Sequence, residues 1–181
     1  KPPMALLRLT REISGAIVSG LTDSRTPASR KLAIAGGFLA SGLRFSRGMT
    51  VGALGPRPAK RFTLWDFERC PHSRVVREAL SRLDLDAAIR PCPKNGTRFR
   101  PELEGKGVPQ LLDPNTGERI VGSLKILDHL YARYGTRGTP LFAKLKPYTV
   151  FSGLAARFLT GQRGAFAIPS RSPAKPLELW S

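Results

Sequence analysis

The sequence is poor in the groups from which disulfide frameworks and metal centres are built. It holds two cysteines, Cys70 and Cys92, and two histidines among 181 residues. Two thiols cannot staple a small secreted scaffold, so a reducing compartment is the simpler expectation. Scattered His and Cys offer no spacing for a structural zinc site, and no metal is expected. Long apolar runs are also missing. The stretch Leu32 to Leu43, which contains Gly36-Gly37, falls short of the roughly 20 residues needed to cross a bilayer. Acidic residues are scarce, 13 against 30 Lys and Arg, for a net charge of +17.

That excess is unevenly placed. Residues 1–60 carry a net +8, residues 61–135 a net +3 and residues 136–181 a net +6. The middle is therefore nearly balanced, and the basic character belongs to the flanks. Their charges are not interleaved with aromatics and form no recognition motif. Specific nucleic-acid binding is not expected, and nonspecific electrostatics is the most they suggest.

In the first flank, Leu6, Leu9, Ile13, Ile17 and Leu21 can share one helical face, with Arg8 and Arg11 nearby. A basic leader (residues 1–58), partly helical or flexible, is the plain reading; a helix lying on a membrane surface or a partner is the other. Its Arg- and Ser-rich, acid-poor composition also resembles a targeting segment, without a convincing cleavage signal. The expected location is cytoplasmic, with membrane-peripheral contact and organellar targeting left open. Gly55-Pro56-Arg57-Pro58 reads as a linker into the balanced middle.

Within residues 59–135, Phe62 to Phe67 alternates and carries aromatics, as a strand does. Cys70 follows, then Pro71, which suits the first turn of a helix. Val75, Val76, Ala79, Leu80 and Leu83 continue at helical spacing. A thiol between a strand and a helix N-terminus meets backbone N–H groups and the positive end of the helix dipole. Such thiols ionise below the ordinary value of about 8.5 and become nucleophiles. Asp86 to Ile89 predicts a second strand, Phe99 to Gly105 a helix, and Gln110 to Leu112 a third strand. Asn115-Thr116-Gly117 predicts a hairpin turn before Arg119 to Val121. Ser123 is the expected cap of a last helix, with Leu124, Ile126, Leu127, Leu130, Tyr131 and Tyr134 as its apolar face and Gly135 at its end.

These residues resemble a known family. A strand, Cys70-Pro71-His72-Ser73, a helix, a second strand and Gly107-Val108-Pro109 before a third are similar to a glutaredoxin or the N-terminal domain of a glutathione S-transferase. The resemblance is closer to proteins carrying two such domains in tandem. It rests on Val76-Arg77-Glu78-Ala79-Leu80, Arg90-Pro91-Cys92-Pro93-Lys94, Phe99-Arg100-Pro101 and Asp113-Pro114-Asn115-Thr116-Gly117. The order β-α-β-α-β-β-α is that of the thioredoxin-like α/β fold. Beyond it, residues 136–173 read as an amphipathic segment and linker. Residues 174–181 match residues 59–66 at Ala, Lys, Leu and Trp, so a second repeat is expected to begin there. With Lys-Pro-Pro ahead of Met4, the chain is read as a fragment of a longer one.

The resemblance implies glutathione as co-substrate, with glutathionylated proteins as partners. Cys70 and Ser73 are the candidate catalytic pair: Cys70 attacks, while Ser73 cannot form an internal disulfide but could donate a hydrogen bond to the thiolate. Val108, before a cis-Pro109, would pair its backbone with glutathione's cysteinyl unit. Gly122 and Ser123 would hold the γ-glutamyl carboxylate at a helix N-terminus, although the family's usual acid is absent at Gly122. Cys92 reads as structural, and Lys94, Arg98 and Arg100 as solvated loop charges or as contacts for the glycyl carboxylate. Two functions follow: glutathione-linked monothiol chemistry at Cys70, or a glutathione-binding or membrane-peripheral module without turnover.

Overall fold

The alternation of Phe62, Leu64 and Asp66 with Thr63 and Trp65 sends the two sets to opposite sides of one strand, and the fold is assembled on that strand. The computed structural model describes residues 50–105 and 107–145, with isolated residues in 31–42, Phe151 and Ala167. The described elements are β1 (Phe62–Asp66), α1 (Pro71–Arg82), β2 (Ala87–Pro91), a 3₁₀ turn (Arg100–Glu102), β3 (Gln110–Asp113), β4 (Glu118–Val121), α2 (Ser123–Tyr134) and α3 (Leu141–Lys144). The sheet runs in the order β2-β1-β3-β4. β1 is parallel to β2 and antiparallel to β3, and β3–β4 is an antiparallel hairpin. This is the thioredoxin-like α/β arrangement expected from the sequence.

Val75, Val76, Ala79 and Leu80 of α1 and Ile126, Leu127, Leu130, Tyr131 and Tyr134 of α2 are buried in one cluster with Phe62, Leu64 and Leu111. Each fully buried aliphatic side chain of this kind stabilises by about 1.5–3 kcal/mol. Phe62 meets Tyr134 edge to face, with ring centroids 5.2 Å apart. Among the described residues, the other side of β1 is met by the loop that carries the 3₁₀ turn rather than by an α-helix. There Trp65, Arg90 and Gln110 stand in register across three strands. The Trp65 indole lies between the guanidinium groups of Arg90 and Arg119, at 5.2 and 4.2 Å. Its Nε1 donates to Glu102 Oε2 at 2.8 Å.

Three local expectations differ from the structure. The segment from Phe99 to Gly105 makes only the 3₁₀ turn: Leu103 is already extended and Gly105 takes a positive φ of 72°. So short a segment gains too few hydrogen bonds to offset helix nucleation. The second strand sits slightly later than Asp86–Ile89 because β1 pairs with it through Pro91. Residue 123 is not the cap of α2: Gly122 is the N-cap, with φ of 98°, and Ser123 is the first helical residue. The turn out of β4 requires a backbone conformation open to glycine and strained for serine.

Contacts with this domain begin before residue 59. Gly52 N donates to Arg82 O at 2.7 Å, and Arg57 pairs with Asp84. Leu54 bridges Gly135, and a Cβ on Gly55 would fall 2.2 Å from the Tyr134 carbonyl oxygen. The described residues of the Leu32–Leu43 run are helical, and Phe38 is exposed. The expected helix at 4–21, most of the amphipathic segment after Leu145, and the second repeat at 174–181 lie outside the described residues.

At the hairpin end, Asp113 is fully buried and accepts hydrogen bonds from Tyr134 Oη at 2.7 Å and from Asn115, with His129 Nε2 at 2.8 Å. Burial alone would raise its pKa, but the hydrogen bonds with Tyr134, His129 and Asn115 outweigh it and hold the carboxyl at about 2. A carboxyl depressed in the folded state stabilises it above the unfolded pKa near 3.8, and that contribution is lost as pH falls towards 2. The expected contribution is about 2 kcal/mol. Urea unfolding between pH 2 and 5 should therefore show an acid-side loss of stability that Asp113→Asn flattens; an unchanged slope in that variant refutes the assignment.

Candidate functional site

Cys70 is the N-cap of α1, with extended backbone (φ −76°, ψ 117°), and Pro71 follows at the first helical position. The turn that delivers it is short: Cys70 N donates to Phe67 O at 3.0 Å, and Arg74 N donates to Cys70 O at 3.0 Å. This is the strand-to-helix placement inferred from the sequence. The thiol lies just beneath the surface, at 6% exposure, while His72 beside it is exposed.

Facing the thiol is the segment before β3. The Val108–Pro109 peptide bond is cis, as the resemblance implied. Cys70 Sγ lies 4.0 Å from the Val108 carbonyl oxygen, the outer limit for a thiol donor. The residue that fixes this segment is Gln110, the first of β3. Gln110 is fully buried; its Nε2 donates to the carbonyls of Glu104 and Gly107 at 2.7 and 2.9 Å. Its Oε1 accepts from Glu104 N at 3.1 Å and from Arg119 Nη2 at 2.9 Å. One amide thereby fastens the loop preceding Val108 to the sheet. The available signal was a glutamine at the position of β3 that pairs with Trp65.

A second connection joins this segment to α2, where Gly122 N donates to Pro109 O at 3.0 Å. Ser123 is half-buried at the first turn of α2. Between the N-terminal ends of α1 and α2 lies a cavity of about 250 Å³, lined by His72 and Val75 on one side and by Gly122, Ser123 and Leu124 on the other. Cys70, Val108 and Pro109 do not line it.

Ser73 departs from expectation. Its side chain is 1% exposed, and its Oγ has no hydrogen-bond partner, so no bond to Cys70 is made. A buried hydroxyl lacking a partner loses its hydration without replacement. Ser73 sits one helical turn from Cys70, on the same face of α1.

Cys92 is a different kind of thiol. It is fully buried, its Sγ lies 3.4 Å from Arg90 O, and its backbone N donates to Asp66 O at 2.5 Å. Burial pushes its pKa up, against the partial opposition of Arg100. Arg100 donates to the Cys92 and Pro93 carbonyls, and Arg98 stacks on Phe99. Among the described residues, no group of His, Cys, Asp and Glu could hold a metal ion. No helix among them is long and apolar enough to cross a membrane.

A mixed four-stranded sheet, a cysteine capping its first helix and a cis-proline opposite define a thioredoxin-like domain. Residues 64–138 match the model of the glutathione S-transferase N-terminal domain family, and the mixed sheet with its helices fits a domain of that type. No curated protein and no solved structure matches the chain.

The burial of Cys92 leads to a direct expectation. In the native protein Cys92 should resist iodoacetamide near neutral pH, and Cys92→Ala should cost about 1–2 kcal/mol by leaving a small core defect. Thiol-resolved mass spectrometry and urea unfolding check both, and rapid labelling of native Cys92 would contradict them.

Proposed function

We propose that the domain carries out glutathione-linked monothiol chemistry, with Cys70 as the nucleophile. The observation that carries this reading is the placement of Cys70 at the N-cap of α1, opposite the Val108 carbonyl and the cis-Pro109. A family of glutathione S-transferase N-terminal domains supplies the co-substrate class. In the first step, the Cys70 thiolate attacks the glutathione sulfur of a glutathionylated protein. A Cys70–glutathione disulfide forms, and the protein thiolate leaves and takes a proton from solvent. In the second step, the thiolate of free glutathione attacks the glutathione sulfur of that adduct. This releases oxidised glutathione and regenerates Cys70. Since Ser73 offers no second thiol, resolution must come from outside the domain.

In this reading Val108 offers its backbone to the cysteinyl unit of glutathione, and Gly122 and Ser123 receive the γ-glutamyl carboxylate at the N-terminus of α2. The hydrogen bond from Gly122 to Pro109 supports treating the two segments as one binding edge. The polypeptide is divided as a basic leader (1–58), this domain (59–135), an amphipathic segment and linker (136–173) and the start of a second repeat (174–181). The leader supplies membrane-surface contact through its charge, and the location is cytoplasmic or membrane-peripheral. A second reading, glutathione binding without turnover, is favoured by the near-complete burial of the thiol.

Incubation with oxidised glutathione should place the mixed disulfide on Cys70 rather than Cys92, and the adduct should persist until reduced glutathione is added. Peptide mapping by mass spectrometry reads the site. Adduct on Cys92 alone, or none on either cysteine, removes the catalytic reading; binding of glutathione by a Cys70→Ser variant would then support the binding module.

A further inference from the structure

The strand-to-helix turn that carries Cys70 is held from below by one guanidinium. Arg77 lies in the second turn of α1, and it grips the end of β1 with a two-pronged contact. Nε donates to Asp66 Oδ2 at 2.5 Å and Nη2 to Asp66 Oδ1 at 3.0 Å. Its remaining nitrogen, Nη1, pairs with Glu68, which lies inside the Phe67–Cys70 turn. Asp66 is fully buried, whereas the Glu68 side chain is 66% exposed. From the opposite side, Cys92 N holds the Asp66 carbonyl. The last residue of the strand is thus fixed through both side chain and backbone, and the first part of the turn through Glu68.

Arg77 lies seven positions after Cys70, which on a helix is nearly two turns and about 10 Å along the axis. The guanidinium is too far to touch the sulfur, yet Cys70, Ser73 and Arg77 share one face of α1. We propose that Arg77 is a positioning residue: by bridging Asp66 and Glu68 it fixes the turn on which the Cys70 thiol faces Val108. The inference rests on the reading of Cys70 as the reacting thiol. Arginine is required by the geometry. A planar fork can engage both oxygens of one carboxylate and still present a third nitrogen to another, whereas a lysine ammonium reaches as a single point.

This arrangement separates two functions that a single substitution at Asp66 would confuse. Removing Asp66 takes away a fully buried side chain and the two-pronged contact with Arg77, and so disturbs the core as well as the turn. Removing the Glu68 carboxylate releases only the turn, because the exposed ion pair itself adds little stability.

The test uses the full chain with Glu68→Gln, Arg77→Lys and Arg77→Met, and follows both cysteines by mass spectrometry. Iodoacetamide reports the accessibility and thiolate fraction of Cys70 independently of any glutathione site, and oxidised glutathione reports the proposed reaction. Glu68→Gln should leave the thermal midpoint nearly unchanged while slowing Cys70 with both reagents by about five- to tenfold, the scale on which small misplacements act. Arg77→Met should be slower still, and Arg77→Lys should recover part of the loss. Wild-type Cys70 rates in folded Glu68→Gln and Arg77→Lys overturn the proposal. So does a Cys70 change that appears only with a parallel acceleration at Cys92, since that pattern reports general loosening. If wild-type Cys70 forms no adduct with oxidised glutathione, the proposed function fails on its own, and the iodoacetamide comparison still decides the role of Arg77.

Discussion

The structure depends on β1 being buried in the interior of the sheet. It pairs with β2 on one side and β3 on the other, and Phe62, Leu64 and Asp66 are each fully buried. A central strand in this position has a fixed register, because a slip of one residue would exchange Phe62 and Leu64 with Thr63 and Trp65. The register then determines where the strand stops, and the end of the strand determines where Cys70 emerges. The hydrophobic core under α1 and α2 and the polar cluster around Trp65 are two consequences of the same alternation.

Those two faces use different physics. Beneath the helices, stabilisation comes from apolar burial and grows with area. On the other face, an indole between two guanidinium groups and a carboxylate uses directional contacts. Glu102, hydrogen-bonded by Trp65 and Arg90, has its carboxyl held below the ordinary range. A loop with little regular structure can cover a sheet in this way because Gln110 and Arg119 satisfy its backbone groups, as buried polar groups require.

Much of this was legible in the sequence because it is periodic or chemically marked. Phe62–Asp66 showed the two-residue period, and Val75, Val76, Ala79 and Leu80 showed the helical one. Pro71 and Pro109 marked a helix start and a cis bond. The rest depended on partners far along the chain. Nothing local in Arg77 distinguishes it from Arg74, which instead faces Glu78, or reveals that its neighbour is the buried Asp66. Gln110 reads as an ordinary strand residue until Glu104, Gly107 and Arg119 surround it. Ser123 had the composition of a cap, but the backbone path out of β4 gave that position to Gly122.

The hydrogen bond between Gly122 and Pro109 closes the near end of the β3–β4 hairpin, and Asn115 at the far end is tied to both backbone groups of Lys60. The hairpin therefore works as a calliper. Val108 and Ser123 stand one residue beyond the Gly122–Pro109 hydrogen bond, so the spacing of two paired strands carries on to their backbones. Substitutions along the strands change the side chains this end presents, while the backbone spacing follows from the ladder.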